Sequence, residues 1–294
     1  REIKRNMGKS GYRAFSASRC ARTAAASRRK GKSKVAKEEA LRRYVIEKLK
    51  EAWSPREISE RLKIEYAWDM TMQISHEAIY QYIYVLPRGE LKQTLIKALR
   101  QEHKYRRTQK VIKTEENRGK IANMLSIEER PAEVADRTVP GHWEGDLILG
   151  KYKQSALGTL VERTTRYTIL VPLGNQKDAL SVRKAYAEAF KTVPAELKKT
   201  LTYDQGKEMS DHEQFTIDTN IQVYFAHPGS PWERGTNENT NGLIRQYFPK
   251  GTDFTLVPLD MIKEVQRKLN GRPRKALNFY KPDEVFNNIV ALKV

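Results

Sequence analysis

The spacing of apolar residues changes along the chain, from a helical period in the first half to short apolar runs in the second. Helices are predicted over 38–49, where apolar side chains recur every three or four residues, and from the capping box Ser54-Pro55-Arg56-Glu57 onward. Further helices are predicted over 75–84 and about 89–100. Short helices on a basic background favour a helix-turn-helix unit that places its last helix in a DNA major groove, with an ordinary helical bundle as the alternative.

After residue 130 the pattern indicates strands interrupted by helices. A predicted hairpin turns at Arg163-Thr164-Thr165, and the apolar runs after it alternate with helical periods. The predicted strands are 143–149, 156–162, 166–172, 200–203 and 221–226, and the predicted helices are 178–192 and 237–247. A hairpin followed by helix–strand alternation predicts an α/β domain with a mixed sheet flanked by helices.

The positive charge of the chain is concentrated in its first part. The 294 residues have a net charge of +19, and residues 1–120 hold 31 Lys and Arg against 14 Asp and Glu, whereas residues 121–294 hold 24 against 22. A clustered positive field binds phosphate backbones by releasing counterions, so double-stranded DNA is the leading partner, with a solubilising surface as the alternative. A single cysteine, Cys20, and the lack of any apolar run of about 18–20 residues favour a reducing cytoplasm and no membrane partner.

Length and composition predict two domains with basic connecting segments. Residues 1–35 have few large apolar side chains and are not expected to order firmly. Arg106 and Arg107, which precede a charged stretch, are candidate DNA contacts. The chain starts at Arg1 without an initiator methionine, so we expect a fragment of a longer protein. The predicted units are a basic tether over 1–37, a helical DNA-binding domain over 38–102, a basic linker over 103–130 and an α/β domain over 131–294.

Three carboxylates lie where predicted strands end or a helix begins. Asp146 lies in an apolar segment, where a charge is costly unless it is paired or bound to a cation. Asp204 follows a strand and Glu238 opens a helix, so neighbouring elements can bring the three together. Oxygen ligands favour Mg²⁺ or Mn²⁺ over zinc, although each acid taken singly is also typical of a solvated or capping residue. The competing carboxylates are Glu144, Glu162, Asp211, Glu213 and Glu233, and His142 is either structural or an assisting group.

Several stretches of the chain resemble bacterial transposases of the insertion-sequence-thirty family. The interval of 33 residues between Asp204 and Glu238 is the spacing this family has. The matching stretches are Gly141-His142-Trp143-Glu144-Gly145-Asp146-Leu147-Ile148, Leu201-Thr202-Tyr203-Asp204-Gln205-Gly206, and Trp232-Glu233-Arg234-Gly235-Thr236-Asn237-Glu238-Asn239 within 228–250. The resemblance covers the chain from about residue 40. It implies a ribonuclease-H-like, integrase-type catalytic domain with a DDE triad, preceded by an all-α helix-turn-helix domain.

The same resemblance implies a reaction. Two Mg²⁺ or Mn²⁺ ions would be bridged by Asp146 and Asp204, and Glu238 would hold one of them. Water would first free a 3′-hydroxyl at the end of a mobile element, and that hydroxyl would then attack target DNA, in a homodimer or a higher assembly in the bacterial nucleoid. Residues 1–37 would include the remnant of a truncated first helix-turn-helix, so the alternatives are a catalytically silent DNA-binding regulator and a structure-selective nuclease.

Other residues are candidates for contact with DNA. Asn241 and Arg245 follow Glu238 at three- and four-residue intervals on one predicted helix, and Lys250 comes after it, so they are candidates to orient a phosphate backbone. The alternative is a solvated helix face. Trp232 is a candidate to stack on an unpaired base, with packing beneath its loop as the alternative.

Overall fold

The computed structural model divides the chain into two compact units. The units are Arg1–Arg107 and Thr108–Val294. The structure describes residues 3, 7, 11–29, 33–86, 89–99 and 121–293. The candidate DNA contacts Arg106 and Arg107 lie outside the described residues, as does most of the predicted basic linker.

The first unit is helical, and the helices predicted from apolar spacing are confirmed to within about two residues. The capping box is also confirmed, because the Ser54 hydroxyl accepts a hydrogen bond from the Glu57 amide at 3.3 Å and the Glu57 carboxylate accepts one from the Ser54 amide at 2.6 Å. The helices are α1 Ala14–Arg29, α2 Lys34–Lys37, α3 Glu39–Lys50, α4 Pro55–Glu65, α5 His76–Val85 and α6 Glu90–Ala98.

The first residues differ from the expectation that residues 1–35 do not order. Helix α1 occupies 14–29, and Val35 of α2 is fully buried in the core of the first unit. The Lys34 ammonium donates a hydrogen bond to the Gln73 carbonyl at 2.7 Å and another to the carbonyl of Met70. Alanine and arginine have high helix propensity, so a segment with few large apolar side chains still forms a helix here.

Helices α3 to α6 surround one apolar core. The segment 66–75 between α4 and α5 is too long for a tight helix-turn-helix turn, and it is held in place by polar contacts. The Ser59 hydroxyl donates to the Ile74 carbonyl at 2.6 Å, and the Gln73 amide donates to the Tyr66 carbonyl at 2.6 Å. The fully buried members of the core are Val35, Leu41, Val45, Leu49, Ile58, Leu62, Ile79, Ile83 and Leu95.

The second unit contains a five-stranded sheet with helices on both faces. The strand order is β3-β2-β1-β4-β5, in which β1, β2 and β3 are antiparallel neighbours and β4 and β5 run parallel to β1. The mixed α/β sheet predicted from the sequence is therefore confirmed. Its elements are β1 His142–Leu149, β2 Ala156–Glu162, β3 Thr168–Gly174, α7 Ala179–Phe190, β4 Thr200–Tyr203, α8 His212–Thr219, β5 Gln222–Phe225, α9 Gly235–Tyr247, α10 Leu259–Asn270 and α11 Pro282–Lys293.

Side chains of β1 alternate between the two helical layers. Trp143 packs edge-on against Phe190 of α7, with ring centroids 5.2 Å apart. Ile148 belongs to the apolar cluster formed with α9 and α10. Because successive strand residues point to opposite faces, Glu144 and Asp146 lie on the α9 side of the sheet. The helices in the described part of the chain include none with the length and apolarity to cross a membrane.

Candidate active site

The parallel pairing of β1 and β4 brings two of the predicted carboxylates together. Glu144 is level with Thr202 in the register of the two strands. Asp146 and Asp204 each lie two residues further along, so they are side by side where β4 ends and the chain turns into a loop. Functional groups collect at this edge of parallel strands, because the loops leave it open to a ligand.

Strands β1 and β4 approach each other closely at the residue between the two carboxylates of β1. Gly145 separates Glu144 from Asp146, and a Cβ atom at Gly145 would lie 2.7 Å from the ring of Tyr203. Tyr203 is fully buried, and burial raises the pKa of its hydroxyl well above the ordinary value. The tyrosine beside Asp204 therefore belongs to the core rather than to the chemistry.

Arg234 connects the two aspartates. Its guanidinium lies 3.4 Å from Asp146 Oδ1 and 3.2 Å from Asp204 Oδ2, and it also donates to the Gly145 carbonyl at 3.0 Å. The three charged side chains are only partly exposed, at 15% for Arg234, 25% for Asp146 and 37% for Asp204. A positive group thus lies between two carboxylates that would otherwise repel each other in a poorly solvated place.

Burial and charge act in opposite directions on these groups. Burial raises the pKa of Asp146, as does the neighbouring charge of Asp204, while Arg234 opposes that rise. Burial alone would lower the pKa of Arg234, but Asp146 and Asp204 outweigh it and hold the pKa above its ordinary value. The two aspartates therefore form an acidic pair whose charge is balanced by Arg234.

The start of α9 is fixed to β1 by a fully buried carboxylate. Glu144 Oε2 accepts a hydrogen bond from the Asn237 amide at 2.8 Å, and the Asn237 side chain donates to the Glu144 carbonyl at 2.9 Å. Glu144 Oε1 is 3.0 Å from the Arg163 guanidinium, which is also buried. These contacts hold the first turn of α9, and Glu238 is the next residue after Asn237.

Glu238 lies in the first turn of α9, as predicted, and its side chain is exposed. It shares a helix face with Asn241, three residues later, whose amide donates to Asp146 Oδ2 at 2.7 Å. Arg234, which also contacts Asp146, lies in the turn before α9. Across the residues that the structure describes, however, no three carboxylate, imidazole or thiol groups are arranged to hold a metal ion.

The remaining predicted DNA contacts have different surroundings. Arg245 donates to the Leu149 carbonyl at 2.8 Å and to the Pro249 carbonyl at 3.3 Å, so it lies at the end of β1. Lys250 is exposed. Trp232 is 71% exposed, so packing beneath its loop is ruled out.

The competing carboxylates have partners elsewhere. Glu162 accepts hydrogen bonds from the Gly141 and Thr165 amides at the hairpin, and Asp211 pairs with Arg183 at 2.8 Å. The other contacts are Glu213 with Asn123, Glu233 with His227, and His142 with Thr200 and Glu133. Burial lowers the pKa of His142, and its contacts are those of a structural residue at the start of β1.

Two residues beside the aspartates were not predicted to have a role. Arg234 and Asn237 both lie in a stretch that carries the family resemblance. Arginine and asparagine are common residue types in any protein, so their identity alone did not indicate a role. Their signal in the sequence was position, because both lie within four residues of Glu238, the proposed metal ligand.

Comparisons with known proteins place the chain in a family. The family model described as Integrase core domain matches residues 136–231, a range that includes Asp146 and Asp204 and ends before Glu238. The transposase for insertion sequence element IS1086 of Cupriavidus metallidurans is 44% identical over 99% of this chain and 85% of its own length. Transposase InsI for insertion sequence element IS30A of Escherichia coli K12 is 43% identical over 99% of this chain and 76% of its own length.

Among solved structures, the catalytic core domain of BIV integrase in crystal form I matches with a TM-score of 0.39 at 16% identity, over 52% of this chain and 97% of that one. That similarity is too distant to bear on the site.

The matched Integrase core domain and the two relatives define the class of protein as a transposase with an integrase-type core, here built on a mixed five-stranded sheet. Within that class, the chain belongs to the IS30 family of transposases, which confirms the resemblance seen in its sequence.

Proposed function

We propose that the chain cleaves the ends of a mobile DNA element and joins the freed 3′-hydroxyl to target DNA, with Asp146, Asp204 and Glu238 as catalytic residues. The observation that supports this most strongly is the convergence of Asp146 and Asp204 around a cationic group at the open end of β1 and β4. Joining two ends of one element requires two active sites, so we propose a homodimer or a higher assembly on double-stranded DNA, in the bacterial cytoplasm.

The residues present fit divalent ions. The donors are carboxylate oxygens, which suit Mg²⁺ or Mn²⁺, and the neighbouring Asn241 has a buried side-chain oxygen without a hydrogen-bond partner. Two such ions held by Asp146, Asp204 and Glu238 would activate the attacking oxygen and stabilise the leaving oxygen at a phosphodiester. Glu238 is exposed in the first turn of α9, one turn before Asn241, which contacts Asp146.

The remaining residues would position DNA. Asn241, on α9, would fix the orientation of the Asp146 carboxylate. Arg245 and Lys250 would supply positive charge that binds a phosphate backbone. Trp232 offers an exposed ring, two residues before Arg234, for stacking on an unpaired base. In the first unit, α5 is the candidate recognition helix, and the basic charge of residues 1–120 supplies affinity that does not depend on sequence.

A strand-joining assay tests the proposal. The whole chain is given pre-cleaved 3′-hydroxyl ends of its element, target DNA and Mg²⁺, and is compared with Asp146→Asn, Asp204→Asn and Glu238→Gln. Joining is expected from the parent chain and from none of these three variants. The matched control is Asp260→Asn, an exposed carboxylate at the start of α10, which should join like the parent. Joining that survives all three substitutions would rule out the triad.

The second candidate function is a silent DNA-binding protein that competes with an active transposase. It is favoured by one observation, that no three ligating groups among the described residues are arranged to hold a metal. No joining by any version, together with tight binding to the ends, would support it. Both functions predict binding that weakens steeply with salt, so a flat salt response would contradict the proposed role of the basic region.

A further inference from the structure

Arg234 occupies the place where the proposed metal site needs a cation. Its two terminal nitrogens reach one oxygen of each aspartate, at 3.4 Å for Asp146 Oδ1 and 3.2 Å for Asp204 Oδ2. The other oxygens are engaged as well, since Asp146 Oδ2 accepts from Asn241 at 2.7 Å and Asp204 Oδ1 accepts from the Gly206 amide at 3.1 Å. Each aspartate therefore has both of its oxygens in hydrogen bonds or ion pairs.

A metal ion and this guanidinium compete for the place between the two aspartates. Each carboxylate oxygen has two lone pairs, so one contact with the guanidinium does not by itself exclude an ion. An ion bridging Asp146 and Asp204 would, however, lie between the same two carboxylates as the guanidinium, and two positive charges this close repel each other in a poorly solvated place. Binding of the ion is therefore expected to displace Arg234.

The arginine is also placed so that it can leave. Arg234 ends the short helical turn Pro231–Arg234 just before α9, and its backbone is not within the hydrogen-bonded body of the helix. The anchor of α9 lies elsewhere, at the contact between Asn237 and Glu144. A change of the Arg234 side chain therefore leaves the first turn of α9, with Glu238, in place.

We infer that Arg234 is a positioning residue, which holds Asp146 and Asp204 together in the metal-free protein and leaves them when a divalent cation binds. The inference rests on the proposed function, because it requires that the two aspartates bind a metal. Its consequence is that Arg234 sets the metal affinity of the protein before DNA is present, in addition to stabilising the metal-free fold.

Titration of the whole chain with Mn²⁺ in the absence of DNA tests this directly. The free ion is followed by its electron paramagnetic resonance signal. Arg234→Gln removes the competing charge and retains a polar side chain, so Mn²⁺ is expected to bind roughly tenfold more tightly than in the parent, or about 1.4 kcal/mol. Arg234→Lys keeps the charge without the planar fork and should fall between the two.

A second measurement separates positioning from a merely structural role. Without metal, Arg234→Gln should melt at a lower temperature than the parent, because Asp146 and Asp204 then repel each other. Mn²⁺ should raise the melting temperature of Arg234→Gln more than that of the parent, since tighter binding to the native state gives greater stabilisation. The matched control is Arg267→Gln, which removes the same charge from an exposed face of α10. It should change neither measurement.

The outcomes distinguish failure of the inference from failure of the proposed function. If Asp204→Asn abolishes Mn²⁺ binding while Arg234→Gln leaves the affinity unchanged or weaker, Arg234 is not a competitor and the inference is overturned. If neither Asp146→Asn nor Asp204→Asn weakens Mn²⁺ binding, the proposed metal site itself is wrong.

Discussion

Glu144 and Asp146 are two carboxylates on the same face of one strand, beneath the same helix, and their surroundings are opposite. Glu144 is fully buried, and its partners are a buried arginine and the backbone of Asn237. Asp146 lies at the open end of the sheet, and its partners are side chains, Arg234 and Asn241. One carboxylate has fixed partners, whereas the other has partners that can move.

This difference supports a structural role for Glu144 and agrees with the proposed chemical role of Asp146. A buried charge with fixed partners stabilises the folded structure that contains those partners. Removing it leaves its partner as an unpaired charge inside the protein. A carboxylate that is 25% exposed and paired with the guanidinium of Arg234 is accessible to a second cation, as the proposed metal site requires. Glu144 was a competing candidate for the metal site from its sequence, and its fixed partners are the physical reason to assign it the structural role.

The largest expected effect is on stability, at the structural member of the pair. Glu144→Ala removes the partner of Arg163 and the acceptor for the start of α9, and is expected to cost about 3–5 kcal/mol of unfolding free energy. Urea unfolding of the second unit measures it. Glu264→Ala on the exposed face of α10 is the matched control and should have no measurable effect. A loss at Glu144 as small as that of the control would remove the distinction.

The next largest expected effect is a loss of activity on substitution of Asp146. Asp146→Asn keeps the shape of the side chain but removes the charge, so the rate of strand joining should fall about 10²–10³-fold or more. Because the side chain is near the surface and its partners can rearrange, the melting temperature should stay close to that of the parent. A variant that melts as early as Glu144→Ala would show that Asp146 is structural too.

Asn237 joins Glu144 to the start of α9. Its substitution should lower both stability and joining, each by less than the substitutions of Glu144 and Asp146. Its side chain is buried and also accepts a hydrogen bond from Thr159 at 3.1 Å. Asn237→Ala removes the side-chain hydrogen bonds with the Glu144 carbonyl and the Thr159 hydroxyl, at an expected cost of about 1–3 kcal/mol. Joining should fall moderately, because the start of α9 then keeps only its backbone contact with Glu144, while Mn²⁺ binding at Asp146 and Asp204 persists. If Asn237→Ala lowered joining and Mn²⁺ binding equally, the role of Asn237 would not be limited to holding α9.

The sequence predicted most of this fold because its local signals agree with its tertiary structure. The capping box at Ser54 and the alternation along β1 both indicate structure from a few residues. The helix over 14–29 was missed because the expectation was based on burial, whereas alanine-rich segments form helices from local propensity.

The candidate site was predicted only in part. Asp146 and Asp204 come together through the pairing of β1 with β4, which a mixed sheet makes plausible from sequence. The roles of Glu144 and Arg234 depend on which side chains meet across about 90 residues of chain, as in the contact of Arg234 with Gly145. No local pattern carries that information. The assignment of Glu238 to a metal stays a prediction.

The smallest expected effect lies in the loop that carries Arg234. His227 pairs with Glu233 at 2.8 Å, and the more distant Glu128 lies 3.6 Å from the other side of the imidazole. The hydrogen bond with Glu233 raises the pKa of His227 above its ordinary value of 6.5. Burial would raise the pKa of Glu233, but His227 and the nearby Arg130 outweigh it and hold the pKa below 4.5.

The signs of these two shifts fix the pH window of the pair. The contribution of His227 is fully present below pH 6.5 and is lost as the pH rises through its raised pKa. The contribution of Glu233 is present above pH 4.5 and is lost as the pH falls through its lowered pKa. His227→Gln should therefore lower the melting temperature most between these two values and not at all at alkaline pH, as measured across a pH series. Glu233→Gln should lower the melting temperature in the same window, and a smaller loss should persist at alkaline pH, because Glu233 also accepts a hydrogen bond from the His227 backbone amide. A constant difference at every pH would mean that the loop before Arg234 is held by packing rather than by this pair.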